Sequence, residues 1–67
     1  MKDKIKELIK HHTNSKNECN NLLEELNQID SSKLSYQEID SLESLVSKYT
    51  EESCWRGVFI SQLQDLL

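Results

Sequence analysis

Residues 34–39, with the sequence LSYQEI, constrain the fold most because they mark the start of a helix. The Ser35 hydroxyl can accept a hydrogen bond from the Glu38 amide, while the Glu38 carboxylate accepts one from the Ser35 amide. Leu34 can then pack on Ile39 as a hydrophobic staple. This capping box divides the chain into two segments.

Apolar and small residues recur every three or four positions on both sides of this boundary, as in helices that pack on other helices. In the first segment they form two lines with seven-residue spacing: Ile5, His12, Cys19 and Leu26, and Leu8, Ser15, Leu22 and Ile29. In the second segment the lines are Ile39, Val46, Ser53, Ile60 and Leu67, and Leu42, Tyr49, Arg56 and Leu63, broadened by Leu45, Phe59 and Leu66.

The pattern predicts an all-α fold in which residues 1–67 form a single antiparallel two-helix hairpin. We expect a helix over about residues 3–29 with Asp3 as its N-cap, a turn at 30–34, and a helix over about 36–66. The short turn makes the helices antiparallel. An alternative is a three-helix fold with a break near residues 50–53, where Thr50 or Ser53 could cap a new helix.

A chain of 67 residues buries little of its surface, so its core is marginal alone. We therefore expect two copies to pair as a homodimer with a four-helix arrangement. If the hairpin is symmetric about its turn, facing residues have numbers that add up to about 65. His12 would then face Ser53, and Cys19 would face Val46.

This register brings the polar members of the lines together in a polar seam layer. One interpretation is a hydrogen-bonded layer that fixes the register at some cost in stability. The other is a binding site or a pH-sensitive contact built on His12. The predicted layer consists of His12, Ser15, Tyr49 and Ser53, with Arg56 beside them.

The charge distribution argues against nucleic-acid binding. Residues 1–16 carry a net charge of +3 and residues 17–67 a net charge of −7, which add to the overall −4. An acidic chain lacks the Lys and Arg that neutralise phosphates, and it suits a basic protein partner better. The apolar runs are too short for a signal peptide or a membrane span, so we expect a cytoplasmic protein with no membrane contact.

The cysteine and histidine residues do not predict a metal site or a cofactor. Cys19, Cys54, His11 and His12 lack the short ligand spacing of zinc sites. In the hairpin the two cysteines are offset along the axis by more than a disulfide spans, so we expect free thiols.

Residues 37–42, with the sequence QEIDSL, carry one family resemblance. The segment resembles part of the Ser-Gln-Glu-Leu-Asp signature of small sporulation phosphatases, with Tyr36 in the serine place and Ile39 in the leucine place. Those proteins are helical hairpins that dephosphorylate a response regulator. The resemblance implies an aspartyl-phosphate phosphatase with Asp40 as the catalytic residue.

The segment at residues 54–59 holds the only Trp, Phe, Arg and Gly of the chain. Trp and Arg are enriched at interface hot spots, and one hairpin cannot cover every apolar line of its second helix. We therefore expect a small non-catalytic protein–protein interaction module, an inhibitor or regulator that occludes a host or regulatory protein and is encoded by a phage or mobile element. The predicted partner-binding residues are Trp55, Arg56, Val58, Phe59, Gln62 and Leu66.

Overall fold

The computed structural model describes residues 1–67 and contains two long helices. Helix α1 spans Lys2–Asn27 and helix α2 spans Tyr36–Gln64, with a short 3₁₀ helix at Ser31–Lys33 between them. The two α-helices pack against each other and there are no strands, which confirms the predicted all-α hairpin. The backbone measures 51 × 14 × 12 Å.

The capping box at the start of α2 forms as predicted. The Ser35 hydroxyl accepts a hydrogen bond from the Glu38 amide at 3.2 Å, and the Glu38 carboxylate accepts one from the Ser35 amide at 3.2 Å. In the preceding turn the Asp30 carboxylate accepts hydrogen bonds from the Ser32 hydroxyl at 2.6 Å and the Ser32 amide at 3.1 Å. These bonds, the hydroxyl first, lower the pKa of Asp30. Side chains therefore fix both ends of the connection.

Three of the predicted helix boundaries differ from the structure. Helix α1 begins at Lys2 with Met1 at the N-cap position, so the prediction of Asp3 as the cap is wrong. Asp3 instead lies in the first turn, where its negative charge is favourable near the helix N-terminus. Helices α1 and α2 also end two residues earlier than predicted.

Helix α2 is continuous from Tyr36 to Gln64, so the alternative of a break near residues 50–53 is wrong. The Thr50 hydroxyl donates a hydrogen bond back to the Val46 carbonyl oxygen at 2.7 Å. The Ser53 hydroxyl donates across the hairpin to Asn20. Neither hydroxyl is therefore available to cap a new helix.

Very little of the chain is buried. Only Cys19, at 5% exposure, and Ser53, at 8%, are buried, and both belong to the middle of the helix–helix contact. The remaining apolar side chains are half-buried or exposed. The hairpin alone therefore has a small apolar core, as expected for a chain of this length.

The predicted register is wrong by one to two helical turns. His12 contacts Arg56, Lys16 contacts Ser53 and Asn20 contacts Ser53, pairs whose numbers add up to 68, 69 and 73 instead of about 65. In keeping with this shift, Ile29, which follows the end of α1, lines a groove together with Leu42 of α2.

Candidate protein-interaction site

A polar cluster lies between the helices at mid-length, centred on Arg56. The Arg56 Nη1 donates a hydrogen bond to the His12 Nδ1 at 2.8 Å, and its Nη2 donates to the Glu52 Oε1 at 3.3 Å. Because a guanidinium can only donate, the His12 Nδ1 must be unprotonated for this bond to form. The Arg56 side chain is 24% exposed, so α2 directs this residue towards α1.

A second part of the cluster surrounds the buried Ser53. The Lys16 Nζ donates a hydrogen bond to the Ser53 carbonyl oxygen at 2.9 Å and lies 3.4 Å from its hydroxyl oxygen. The Ser53 hydroxyl in turn donates to the Asn20 Oδ1 at 2.9 Å. Every buried side-chain polar atom has a hydrogen-bond partner. The cluster is therefore a satisfied network that links the two helices.

The predicted polar seam layer is only partly assembled by these bonds. His12, Ser53 and Arg56 take part in the network, whereas Ser15 and Tyr49 are half-buried and contribute no side-chain hydrogen bond to it. Lys16 and Asn20 belong to the network but are not members of the predicted layer. Both residues lie beside the predicted lines on α1, and their side chains extend to α2. The spacing of residues along the sequence does not show in which direction a side chain extends.

The environment of the cluster shifts the pKa of two groups. Desolvation lowers the pKa of His12, and the neighbouring charges of Arg56 and His11 lower it further. Desolvation also raises the pKa of the Cys19 thiol, with an added contribution from the Glu52 carboxylate. Cys19 is therefore a buried, protonated thiol, whereas Cys54 is a free thiol at the surface.

An apolar groove lies beside the cluster at the end of the hairpin where the chain termini meet, and we call it the open-end groove. It is open to solvent and has a volume of about 380 Å³. Trp55 extends this apolar surface, because its ring centroid lies 6.2 Å from that of Phe59. Phe59 also contacts His12 at a centroid distance of 5.3 Å. The residues that line the groove are Leu8, His12, Phe59, Gln62, Leu63 and Leu66.

Most of the predicted partner-binding residues lie at this surface. Trp55 is 59% exposed, Phe59 41% and Leu66 64%, and Val58 is also exposed. Gln62 lines the open-end groove. Arg56 is the exception, because it points into the polar cluster.

A second open groove, the turn-end groove, lies at the other end of the hairpin. Its volume is about 470 Å³, and it is more polar than the first. It is lined by Leu26, Asn27, Ile29, Ser31, Leu42, Glu43, Val46 and Ser47.

The groups that could support chemistry are dispersed. Asp40 is exposed on the first turns of α2 and lies outside both grooves. No group of three or more His, Cys, Asp or Glu side chains is placed to hold a metal ion. Neither helix combines the length and the apolar character that crossing a membrane requires. The arrangement that stands out is thus an apolar surface next to a rigid polar cluster.

Comparison of the chain with protein-family models, curated proteins and solved structures finds no match.

Proposed function

We propose that this protein is a small, non-catalytic protein–protein interaction module that inhibits or regulates another protein by occluding its surface. The observation that carries the proposal is the exposed apolar surface of α2 beside the open-end groove. Trp55 and Leu66 remain more than half exposed there, and Phe59 remains 41% exposed, although the hairpin has formed. Exposed apolar surface with aromatic residues is typical of interaction sites.

The two aromatic side chains supply a useful part of the binding free energy. With Trp55 59% and Phe59 41% exposed, covering them would bury roughly 230 Å² of the area that two aromatic side chains expose. At about 25 cal/mol per Å², this contributes about 6 kcal/mol before costs. Association itself costs about 4–15 kcal/mol, so the aromatic residues act as anchors and the groove must also be filled.

The polar cluster supports this function by holding the surface in place. Arg56 and Phe59 both contact His12, so the groove wall is tied to α1 through the same residue. A surface that is already ordered loses less conformational entropy on binding than a flexible one. The same surface suits a different protein or a second copy of this chain.

The proposal is tested by measuring capture of proteins from a host lysate with matched variants. Phe59→Ala and Trp55→Ala should each reduce capture at least tenfold, because hot-spot truncations cost more than about 1.4 kcal/mol. Tyr36→Ala is the control, since Tyr36 is 90% exposed and lies outside both grooves. Equal capture by all three variants with unchanged helix content would refute the proposal.

The alternative of a phosphatase depends on Asp40, and no observation favours it, because this residue is exposed and lines neither groove. Asp40→Asn should leave capture unchanged. An acyl-phosphate assay on a phosphorylated response regulator would favour the alternative if it showed turnover that Asp40→Asn abolishes.

A further inference from the structure

We propose that a second copy of this chain covers the exposed surface, with the two hairpins antiparallel and related by a two-fold axis at the level of Ser15 and Trp55. This inference goes beyond the proposed function, because a second copy would compete with a target protein for the same surface. It specifies which face is buried and in which direction the partner runs.

The buried face is formed by one line of residues from each helix, and we call it the apolar face. Leu8 of α1 lines the open-end groove together with Phe59 and Leu66 of α2, so these residues lie on one side of the hairpin. Residues seven apart lie on nearly the same side of a helix, so each line continues along the hairpin. The lines are Leu8, Ser15 and Leu22 in α1, and Leu45, Glu52, Phe59 and Leu66 in α2.

The line on α1 is symmetric about Ser15. Leu8 and Leu22 lie seven residues on either side of it. A two-fold axis at Ser15 therefore places Leu8 against the partner's Leu22, and Leu22 against the partner's Leu8. Only Ser15 meets its own copy, and its small side chain permits close approach.

The line on α2 is symmetric about a point next to Trp55. Leu45 and Leu66 lie about ten residues on either side of residues 55–56. A two-fold axis at that point places Leu45, which is 43% exposed, against the partner's Leu66, and brings the two Trp55 side chains together. It also sets Glu52 near the partner's Phe59, where the Glu52 carboxylate stays bonded to Arg56 of its own chain.

The two symmetry points lie at the same height in the hairpin. His12 pairs with Arg56 and with Phe59, and Ser53 pairs with both Lys16 and Asn20. Ser15 is therefore level with residues 53–58, a range that includes the symmetry point next to Trp55. One two-fold axis can therefore pass through the symmetry points of both helices. With the register expected from sequence the two points would be offset by more than a helical turn, so this coincidence is a property of the observed packing.

The charges favour the antiparallel direction. Lys4, His11, Glu18 and Glu25 form a seven-residue line beside the apolar face that changes from basic to acidic along α1. Antiparallel pairing places Lys4 near the partner's Glu25, whereas parallel pairing would place like charges together. Residues 17–50 carry a net charge of −5, and residues 1–16 and 51–67 together carry +1. The acidic turn end of each copy thus approaches the open end of the other.

The face is large enough for a stable dimer. A body that measures 51 Å by 14 Å presents a side of roughly 700 Å². Two copies would therefore bury roughly 1,400 Å² in total, which lies within the range of about 1,200–2,000 Å² for specific interfaces.

The first experiment measures mass by light scattering at about 100 μM protein. We expect twice the chain mass of 7.9 kDa, and a mass of one chain would overturn the inference. Leu66→Glu should raise the dissociation constant at least tenfold, because it places a carboxylate against the partner's Leu45. Leu66 is 64% exposed in the hairpin, so the hairpin itself tolerates the change. Tyr36→Glu introduces the same charge at a 90% exposed position off the face and should leave the mass unchanged.

The second experiment measures direction with a nitroxide label on Gln28→Cys in a Cys54→Ser background. Gln28 lies thirteen residues beyond Ser15, about 20 Å along the helix axis, so antiparallel copies place the two labels about 40 Å apart. Parallel copies would place them at the same height, within about 20 Å, since packed helix axes are about 10 Å apart. A distance in the shorter range would overturn the proposed direction. The Cys54→Ser protein without Gln28→Cys is the control for label on the buried Cys19.

The outcomes separate this inference from the proposed function. A monomer that captures another protein through Phe59 overturns the inference and supports the proposed function. An antiparallel dimer whose Phe59→Ala variant captures the same other proteins as the unchanged chain supports the inference and overturns target binding at this face.

Discussion

Gly57 gives the sharpest test of the helix–helix packing, because it lies directly under the Lys16 side chain. A Cβ atom at Gly57 would come within 3.2 Å of the Lys16 Nζ, where ordinary contacts begin at 3.4 Å. The same Nζ donates the 2.9 Å hydrogen bond to the Ser53 carbonyl oxygen. Gly57→Ala therefore has two opposing effects on stability. Alanine stabilises the helix, whereas the new methyl group displaces the Lys16 ammonium.

The structure indicates that the advantage of alanine is the larger effect. Replacing glycine by alanine inside a helix stabilises it by about 1 kcal/mol. The Lys16 ammonium lies at the end of a flexible side chain, and a retreat of about 0.2–0.3 Å keeps its bond to Ser53 within hydrogen-bond range. Weakening that bond should cost less than about 0.5 kcal/mol. We therefore expect a net gain of about 0.5 kcal/mol and a rise in Tm of roughly 3 °C.

The assay is thermal unfolding followed by circular dichroism at one fixed protein concentration, because self-association makes Tm depend on concentration. In a Lys16→Met background Gly57→Ala should gain the full value of about 1 kcal/mol, since no ammonium remains above the new methyl group. The difference between the stability changes in the two backgrounds measures the coupling free energy between residues 16 and 57. A fall in Tm on Gly57→Ala with Lys16 present would refute the reasoning and show that Lys16 cannot move.

Three further predictions concern the cap, the histidine and the cysteines. Ser35→Ala removes the capping box and should lower the free energy of unfolding by about 1 kcal/mol; an unchanged urea midpoint would contradict this. The folded-state pKa of His12 lies below 6.5, so just below pH 6.5 the unfolded chain binds more protons than the folded chain. The free energy of unfolding should therefore decrease as the pH is lowered from 7.5 to 5.5. His12→Gln should flatten that pH dependence. A variant with the same pH profile as the unchanged chain would show that His12 is not its source. Cys54 should react with a thiol reagent at once and Cys19 only on unfolding, so two equally fast thiols would disprove the burial of Cys19.

The helices could be predicted from sequence because their determinants are local. The capping box at Ser35 and Glu38 involves residues three apart, and the structure contains both of its hydrogen bonds. The start of α1 is not fixed by the local sequence in the same way, because Asp3 suits both the cap position and the first turn. Thr50 could bond either forward as a cap or back to Val46, and only the packed helix shows the second choice.

The candidate site was predicted in part. Composition predicts Trp55 and Phe59 as binding residues, because they are the only Trp and Phe of the chain, and both are exposed. Arg56 was assigned to the same surface on composition, but its hydrogen bond to His12 directs it inward. A neighbour in sequence can thus face the opposite side of a helix, and its direction depends on which partners α1 offers.

The sequence alone determined that this chain forms two antiparallel helices, because periodicity and capping act over a few residues. Tertiary structure alone decided how far the helices slide along each other. Ile29 and Leu42 line the same groove at the turn end, and the register pairs His12 with Arg56 at mid-length. The register depends on many weak contacts between residues far apart in the chain, which no local pattern records. It also places Ser15 level with Trp55, and that alignment is the basis for the antiparallel dimer.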